Sequence, residues 1–343
     1  FSQKNLHISS HFNHHTTRLS FKNKHFTGLK VQMQLGTSKK MTIQLHSEQK
    51  FKNTCSHIFK NCLYVFSFTS GAFQTICTKS SNRGSLLEMV KSFIPPLLPE
   101  RHKGQAGKVA IIGGSKEYCG APYFAAYTAL RMGADLSYVF CSQEAAPVIK
   151  AFSPDLIVIP VLDHPSSVSE ISQYLNRMDS LIIGPGLGRN ADILQNVKQV
   201  IDEAKRRNIP IVIDADGLFL VSQHPDIVSP LFMLPVTSVK KSSAVPIMFK
   251  TSLSVLVCDS EGSLRRCGGQ GDLLSGSMGL FNLWAHRANM FLIDTYGPTL
   301  AAAYGACLFT RECSRLAFEV TGRCMVTADM ISEIPRAFRL LFE

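Results

Sequence analysis

Short apolar runs alternate with stretches of helical period along residues 86–228. The apolar runs predict buried strands bounded by turn residues, at 108–112, 136–141, 156–161, 180–183 and 210–213. Apolar positions three and four apart predict helices between them, at 86–93, 121–133, 168–176 and 191–208. Parallel strands need such crossover helices, so the pattern predicts an α/β fold with a mostly parallel sheet covered on both faces.

The pattern fails between residues 229 and 254. Pro230, Pro235 and Pro246 interrupt this stretch, and its lysines and serines offer no apolar face. Regular structure resumes with a predicted strand at 253–257 and predicted helices at 300–320 and 327–338. We therefore assign residues 85–343 to one domain that carries an atypical segment at 229–254.

Residues 1–84 differ from the rest of the chain in charge. They hold 12 of the 36 Lys and Arg residues but one of the 25 acidic residues, Glu48, so this segment carries the whole net charge of +11. Little of it shows a period that could bury a face, and a disordered segment is expected. Two interpretations stay open: a mitochondrial transit peptide, or non-native sequence, which the absence of an initiating Met favours. Met89 could start a cytosolic form, so mitochondrial and cytoplasmic locations both stay open.

Charge and cysteine content argue against several classes of function. The domain is neutral outside the first 84 residues, which disfavours binding to a nucleic-acid backbone. No apolar run reaches the ~18 residues that a membrane span needs. The ten cysteines form no CxxC pair and no zinc-type spacing with histidine, so we interpret them as reduced thiols.

A glycine-rich loop is the motif with the most chemical content. Gly268-Gly269-Gln270-Gly271 precedes Asp272 and a helix of small and apolar residues. Glycines let a backbone approach a ligand, and the free N–H groups at a helix start attract anions. A carboxylate is unfavourable there unless it has a task, and accepting a hydroxyl proton beside a phosphate is one. The alternative is an Asp that caps the helix, but the glycines and two preceding arginines favour catalysis.

Other glycine-rich turns close the predicted strands. They are Gly113-Gly114-Ser115, Gly184-Pro185-Gly186-Leu187-Gly188 and Asp214-Ala215-Asp216-Gly217. Ligands of open parallel sheets bind at the carboxyl ends of the strands, where these loops should meet. Each loop could also be a plain turn that binds no ligand. If they do bind a ligand, the two aspartates of the third loop could hold a hydroxyl, a ribose or a metal. Asp135 is interpreted as a turn partner. Together with Asp272, the loops suggest phosphoryl transfer from a nucleotide to a small hydroxyl compound.

Several long strings agree in order with one enzyme family. They are His102-Lys-Gly-Gln105, Gly113-Gly-Ser115, Gly120-Ala-Pro122, Gly184-Pro-Gly-Leu-Gly188, Ile213-Asp-Ala-Asp-Gly-Leu218 and Arg265-Arg-Cys-Gly-Gly-Gln-Gly-Asp-Leu-Leu-Ser-Gly276. The chain thus resembles the eukaryotic ATP-dependent NAD(P)H-hydrate dehydratases over roughly residues 86–228 and 255–343. The resemblance implies a ribokinase-like three-layer sandwich with a mostly parallel central sheet.

The resemblance also implies a repair reaction that uses ATP and Mg²⁺. The S-form of NADH or NADPH hydrated at C6 would be phosphorylated on that hydroxyl, and phosphate would then leave. Asp272 would accept the proton. Contacts with the hydrate are implied for Gly186, Gly188, Asp214, Gly120, Ala121, Pro122 and Asp272. Contacts with ATP are implied for Gly262, Ser263, Leu264, Arg265, Arg266, Cys267, Gly268, Gly269, Gln270 and Gly271. No residue identifies the Mg²⁺ site, and a homo-oligomer is compatible with the fold.

One part of the family pattern is absent. The family has two further strands after the Asp-Ala-Asp-Gly motif, which end in a Thr-Pro-Asn…Glu-Phe motif near the hydrate and a Lys-Gly…Asp motif near ATP. Residues 229–254 resemble neither, so we expect two strands to be missing. Alternatives to the dehydratase therefore stay open: an impaired splice variant or faulty gene model of it, another ribokinase-like small-molecule kinase, or a non-catalytic relic that binds a nucleotide or a partner subunit.

Overall fold

Most of the apolar runs form the elements that the sequence predicts. The computed structural model describes residues 10–13, 16–20, 30–35, 41–46, 76–77, 83–227, 247–250, 254–288 and 296–343. The chain divides into two compact units, residues 1–81 with 250–257 and residues 82–249 with 258–343. The second unit contains the predicted α/β domain.

Five parallel strands form the sheet of the second unit. They are β6 (Lys108–Ile112), β7 (Leu136–Cys141), β8 (Ile157–Pro160), β9 (Ser180–Ile183) and β10 (Ile211–Ile213). Their order is β10-β9-β6-β7-β8, and each neighbouring pair is parallel. The prediction of a parallel sheet is confirmed, and the strands at 108–112, 136–141 and 180–183 have the predicted bounds.

Helices connect and cover these strands. In chain order they are α1 (Arg83–Phe93), α2 (Gly120–Arg131), α3 (Ala145–Phe152), α4 (Ser167–Leu175), α5 (Ala191–Arg206), α6 (Ala215–Gln223), α7 (Gln270–Arg287), α8 (Pro298–Thr321), α9 (Thr327–Ser332) and α10 (Ile334–Phe342). Helix α5 shows how local sequence builds one of them: the Asn190 side chain accepts hydrogen bonds from the N–H groups of Asp192 and Ile193, which caps the first turn.

Successive residues of the central strands face opposite helix layers. Ile183 of β9 lies in one core with Ile171 of α4 and Val197 of α5. The preceding residue, Ile182, faces the other way, because a β-carbon on Gly279 of α7 would lie 2.5 Å from its side chain. Helices therefore cover both faces of the sheet, and the predicted three-layer arrangement is confirmed.

Small residues let α7 lie deep in the domain. Its residues from Leu273 to Ala285 are buried. A β-carbon on Gly276 would lie 2.3 Å from the Ala125 carbonyl oxygen of α2, so only glycine permits this close approach of the two helices. The helix start, which carries Asp272, is thereby held beside the sheet.

Three regions differ from the predicted helices. Helices α3 and α6 are not among the helices predicted from the sequence. In the structure Pro147 lies in the first turn of α3, where its missing N–H costs nothing. The helix predicted at 327–338 is two helices, α9 and α10, and Pro335 lies in the first turn of α10.

The first unit contains strands where the sequence predicted disorder. β1 (Ser10–Asn13), β2 (Thr16–Ser20), β3 (Lys30–Leu35) and β4 (Met41–His46) form an antiparallel sheet in chain order. The sequences of β3 and β4 alternate polar and apolar residues, which is the period of a strand and which the prediction overlooked. The structure therefore differs from the expected disorder over these strands. The transit-peptide and non-native interpretations stay predictions.

The atypical segment lies largely outside the described residues. Within 229–254 the structure describes β11 (Ile247–Lys250) and the first residue of β12 (Ser254–Cys258). β12 pairs in parallel with β5 (Ile76–Cys77) and belongs mainly to the first unit, not to the five-stranded sheet. The absence of two family strands stays a prediction, and β10 is an edge strand of the described sheet.

Two expectations from composition concern the described residues. Seven cysteines of the second unit are free thiols, namely Cys119, Cys141, Cys258, Cys267, Cys307, Cys313 and Cys324. Among the described helices, none combines the length and the apolar character that crossing a membrane requires.

Candidate active site

The predicted loops meet at the carboxyl edge of the parallel sheet. Backbone hydrogen bonds join them: Gly184 N–H to Ile112 O at 3.0 Å, Gly114 N–H to Gly186 O at 3.1 Å, and Asp214 N–H to Ile183 O at 2.9 Å. The loops after β6, β9 and β10 are therefore one connected structure. This convergence was predicted from the sequence and follows from parallel strands of similar length.

Gly186 places the loop after β9 directly on the start of α2. Its φ of +61° is in the left-handed region that favours glycine. A β-carbon there would lie 2.3 Å from the Tyr118 carbonyl oxygen and 2.9 Å from Pro122 Cδ. Gly120, Ala121 and Pro122 form the first turn of α2, so they lie beside Gly186, as the resemblance implied for residues that share a substrate.

Gly188 is held by a neighbouring carboxylate. Its N–H donates to Asp216 Oδ2 at 3.1 Å, and the Arg189 Nε–H donates to Asp216 Oδ1 at 3.2 Å. The Arg189 guanidinium also lies 4.4 Å from the ring centroid of Phe219. Of the alternatives for Asp216, the structure shows a carboxylate that holds the loop. Arg189 and Phe219 were not predicted.

Asp214 and Asp272 are close to each other. Asp214 is the N-cap residue of α6, and a β-carbon on Gly271 would lie 3.9 Å from Asp214 Oδ2. Burial, and then the negative charge of Asp214, raises the pKa of Asp272 from 3.8 to about 8. A carboxyl group of this kind holds its proton at neutral pH and becomes an unusually strong base when ionised.

Asp272 does not cap the helix. The N-cap residue of α7 is Gly269, and Asp272 lies inside the first turn. The φ of Gly269 is +93°, and a β-carbon there would lie 2.8 Å from both Phe124 Cδ2 and Thr327 Oγ1. The capping alternative is therefore wrong, and the carboxylate of Asp272 is available for chemistry.

Thr327 holds the glycine-rich loop from the start of α9. Its Oγ1–H donates to the Gly268 carbonyl oxygen at 2.6 Å, and Cys267 Sγ lies 3.5 Å from the same Oγ1. The residue is 2% exposed. This hydrogen bond occupies the Gly268 carbonyl group and fixes the orientation of the loop ahead of the helix start.

The residues before this loop are tied to it and to α8. Ser263 Oγ donates to the Arg265 carbonyl oxygen at 2.8 Å and lies 2.6 Å from Ser314 Oγ of α8. Gln270 Nε2 donates to the same Arg265 carbonyl at 3.2 Å. Gly262 lies against the Arg311 side chain. The predicted ATP residues thus form one loop, whose Leu264, Arg265, Arg266 and Gly268 are exposed.

Some contacts at the site were not predicted. Thr327 lies within 255–343, a range that resembles the family, and this could have drawn attention to it. Ser314 and Phe124 carry no local signal, because their contacts join segments that are distant in sequence. Asp135 behaves as predicted: its Oδ2 accepts the N–H groups of Gly104 and Ala106 at 2.7 and 2.8 Å.

The donor set is compatible with a magnesium ion that arrives with a nucleotide. Across the described residues there is no group of three or more metal-ligating side chains. Mg²⁺ commonly keeps several waters and binds through one or two carboxylates together with substrate phosphates. The carboxylate of Asp214 would meet that requirement without a cage of protein ligands, while Asp272 stays free to accept a proton.

Comparison with known proteins gives a family. The family model described as NAD(P)H-hydrate dehydratase matches residues 109–237 and 233–336. The two matched parts meet inside the segment predicted to be atypical. Curated relatives named ATP-dependent (S)-NAD(P)H-hydrate dehydratase include a Bos taurus protein, 45% identical over 295 residues, which covers 76% of this chain and 90% of the relative. A Danio rerio protein is 42% identical over 328 residues and covers 84% and 99%.

Solved structures agree on the fold. The ADP/ATP-dependent NAD(P)H-hydrate dehydratase of Bacillus subtilis, co-crystallised with ATP/Mg²⁺, superposes with a TM-score of 0.55 at 18% identity and covers 75% of this chain and 97% of that one. A ribokinase-like superfamily protein of Enterococcus faecalis gives 0.56 at 17% identity, with coverage of 81% and 99%. The predicted ribokinase-like fold is confirmed, and by sequence and fold the chain belongs to the NAD(P)H-hydrate dehydratase family.

Proposed function

We propose that the protein catalyses the ATP-dependent dehydration of the S-form of hydrated NADH and NADPH and so restores the reduced dinucleotide. The observation that carries the proposal is Asp272. It lies in the first turn of α7, directly after a glycine-rich loop and beside Asp214, and its pKa is raised to about 8. The names of the curated relatives support the same reaction.

Asp272 acts as the general base. Its carboxylate accepts the proton of the C6 hydroxyl as that oxygen attacks the γ-phosphorus of ATP, and the bond from this phosphorus to the departing ADP breaks. A carboxylate with a pKa of about 8 is a far better proton acceptor than an ordinary one. Because only the ionised form can accept the proton, we expect kcat/KM to rise with pH and to level off above about 8.

The loop before α7 stabilises the phosphoryl group in transit. Free N–H groups at the start of α7 and the positive end of the helix dipole favour the charge that spreads over the transferring oxygens. The Thr327 hydroxyl donates to the Gly268 carbonyl oxygen at 2.6 Å and so holds the negative end of this carbonyl dipole away from the phosphates. Mg²⁺ bound with ATP supplies further neutralisation of the phosphate charge.

Elimination then needs little from the protein. The C6–O bond breaks, the ring-nitrogen lone pair replaces its electrons, and phosphate departs. Loss of a proton from C5 restores the C5–C6 double bond of the reduced nicotinamide. Gly186, Gly188 and the first turn of α2 orient the hydrate in this account, and the closed backbone contacts there give a shape that holds the ring in place.

Recovery of reduced-nicotinamide absorbance tests the proposal. The purified chain is incubated with the S-hydrate of NADH, ATP and Mg²⁺, and we expect recovery that requires ATP. Asp272→Ala should lower kcat by about 10²- to 10⁴-fold, the usual contribution of a general base. Asp202→Ala, at a half-exposed acid on α5, is the matched control and should be active. No recovery, while the Bos taurus relative is active in parallel, would contradict the proposal.

The expected absence of two family motifs predicts weaker binding of both substrates by the same enzyme. The resemblance places one of them at the hydrate and the other at ATP, and the family match breaks within 229–254. A chimaera that carries the corresponding Bos taurus segment in place of 229–254 should have lower KM for both substrates and a higher melting temperature. Unchanged kinetic constants and unchanged melting would show that the segment is dispensable.

A further inference from the structure

Arg189 is held at two points beside the loop after β9. Its Nε–H donates to Asp216 Oδ1 at 3.2 Å, and its guanidinium carbon lies 4.4 Å from the centroid of the Phe219 ring. Asp216 also accepts the Gly188 N–H, so one carboxylate fixes both the loop and the side chain. A surface arginine without such contacts would lose more conformational entropy on binding a ligand.

The guanidinium group of Arg189 is largely accessible to solvent. Its Nε–H is taken by Asp216, while the described residues place no hydrogen-bond acceptor on its two Nη groups. The side chain is 66% exposed. Guanidinium Nη groups bind phosphate oxygens in pairs, and stacking on an aromatic ring leaves the edge of the guanidinium free for that contact.

The negative charge at this edge of the sheet also favours a nearby cation in the binding of an anionic ligand. Asp214 and Asp216 lie there, and the substrate of the proposed function is itself a polyanion. A dinucleotide phosphate would be repelled by these carboxylates unless a positive group met it. Arg189 follows Gly188 directly in the chain and is the cation that Asp216 orients at this loop.

We infer that Arg189 is a phosphate-binding residue for the hydrated dinucleotide, and this inference rests on the proposed function. The shared chemistry is a phosphate group, which has two sources in the substrate: the pyrophosphate of both dinucleotides, and the 2′-phosphate that only the NADP form carries. Its role is to position the substrate, and the chemistry stays with Asp272.

Equilibrium binding tests the inference without turnover. The S-hydrates of NADH and NADPH are titrated calorimetrically into the wild-type chain and Arg189→Gln in the absence of ATP. We expect Kd to rise about tenfold in the variant, as for loss of a charge-assisted hydrogen bond. If the affinity for both hydrates falls equally, Arg189 binds the pyrophosphate. If the affinity for the NADPH hydrate falls more, Arg189 binds the 2′-phosphate. Arg189→Lys, which keeps the charge but not the paired donors, should fall between.

The matched control is Arg131→Gln. Arg131 also lies over an aromatic ring, that of Tyr127 at 6.0 Å, but at the last residue of α2 and away from the site. Its Kd should equal the wild-type value, and equal melting temperatures show that each variant folds. Binding by the wild-type chain with the same Kd in Arg189→Gln would overturn this inference alone. No binding by the wild-type chain would overturn the proposed substrate, and Arg189 as its ligand with it.

Discussion

The two halves of the candidate site are built differently. On the substrate side, loops after β6, β9 and β10 touch through their backbones, and glycines occur where a β-carbon would strike a carbonyl group. On the ATP side, the loop from Gly262 to Gly271 is more exposed and is tied by side chains of α8 and α9. The first half is rigid by close packing of main chain, whereas the second depends on a few hydrogen bonds.

This difference predicts different responses to mutation. A rigid half should respond to added volume with loss of folding stability. A tethered half should respond to loss of a hydrogen bond with weaker nucleotide binding or slower chemistry, at little cost to the fold. Each half can therefore be disturbed separately, and the readout should tell them apart.

The largest expected effect is on stability, from Gly186→Ala. A β-carbon would lie 2.3 Å from the Tyr118 carbonyl oxygen, and the φ of +61° is unfavourable for alanine. We expect a loss of about 3 kcal/mol or more, from clash and backbone strain together. Gly268→Ala is the matched control on the ATP side, because nothing lies within 4 Å of its added β-carbon. Similar melting temperatures for the two variants would contradict the comparison.

A smaller effect is expected from Thr327→Val. The substitution keeps the shape of the side chain but removes the hydrogen bond to the Gly268 carbonyl oxygen. Gly268 is exposed, so water can bind its carbonyl group and the fold should change little. The hydrogen bond that holds the loop contributes about 0.5–1.5 kcal/mol, so we expect kcat/KM for ATP to fall about two- to tenfold. Thr327→Ser keeps the hydroxyl and should recover most of the loss, and KM for the hydrate should change little in either variant. A loss in Thr327→Ser as large as that in Thr327→Val would assign the effect to packing.

A pH-dependent effect on stability is expected from Asp272. Its pKa in the folded protein is about 8, above the 3.8 of an ordinary Asp. At pH values between 3.8 and about 8, Asp272 keeps its proton in the folded chain but has lost it in the unfolded chain. The protonated Asp272 therefore contributes stability in acid, and this stability is lost as pH rises through about 8. Asp272→Asn imitates the protonated side chain, so the variant should not lose this stability as pH rises. We expect the melting temperature of the variant to exceed that of the wild type by several degrees more at pH 8 than at pH 5. An equal difference at both pH values would contradict the raised pKa.

Periodicity was a good guide where one rule decided the outcome. The runs at 108–112 and 180–183 are apolar, short and bounded by turn residues, and a buried parallel strand is the structure that fits them. It missed α3, a helix of 8 residues that carries Pro147 in its first turn, where proline is tolerated. It also failed for β3 and β4, where the alternating pattern was present but lay within a basic, acid-poor composition.

The sequence by itself determined the order of the strands and helices, the glycine loops at the strand ends and the position of Asp272. These follow from local patterns: apolar period, turn residues and a run of glycines before a helix. Only the tertiary structure decided that Asp214 lies beside Asp272, that Thr327 holds Gly268, and that Asp216 orients Arg189. These pairs are separated by up to 59 residues in the chain. Their contacts depend on how helices pack on the sheet, which no local pattern encodes.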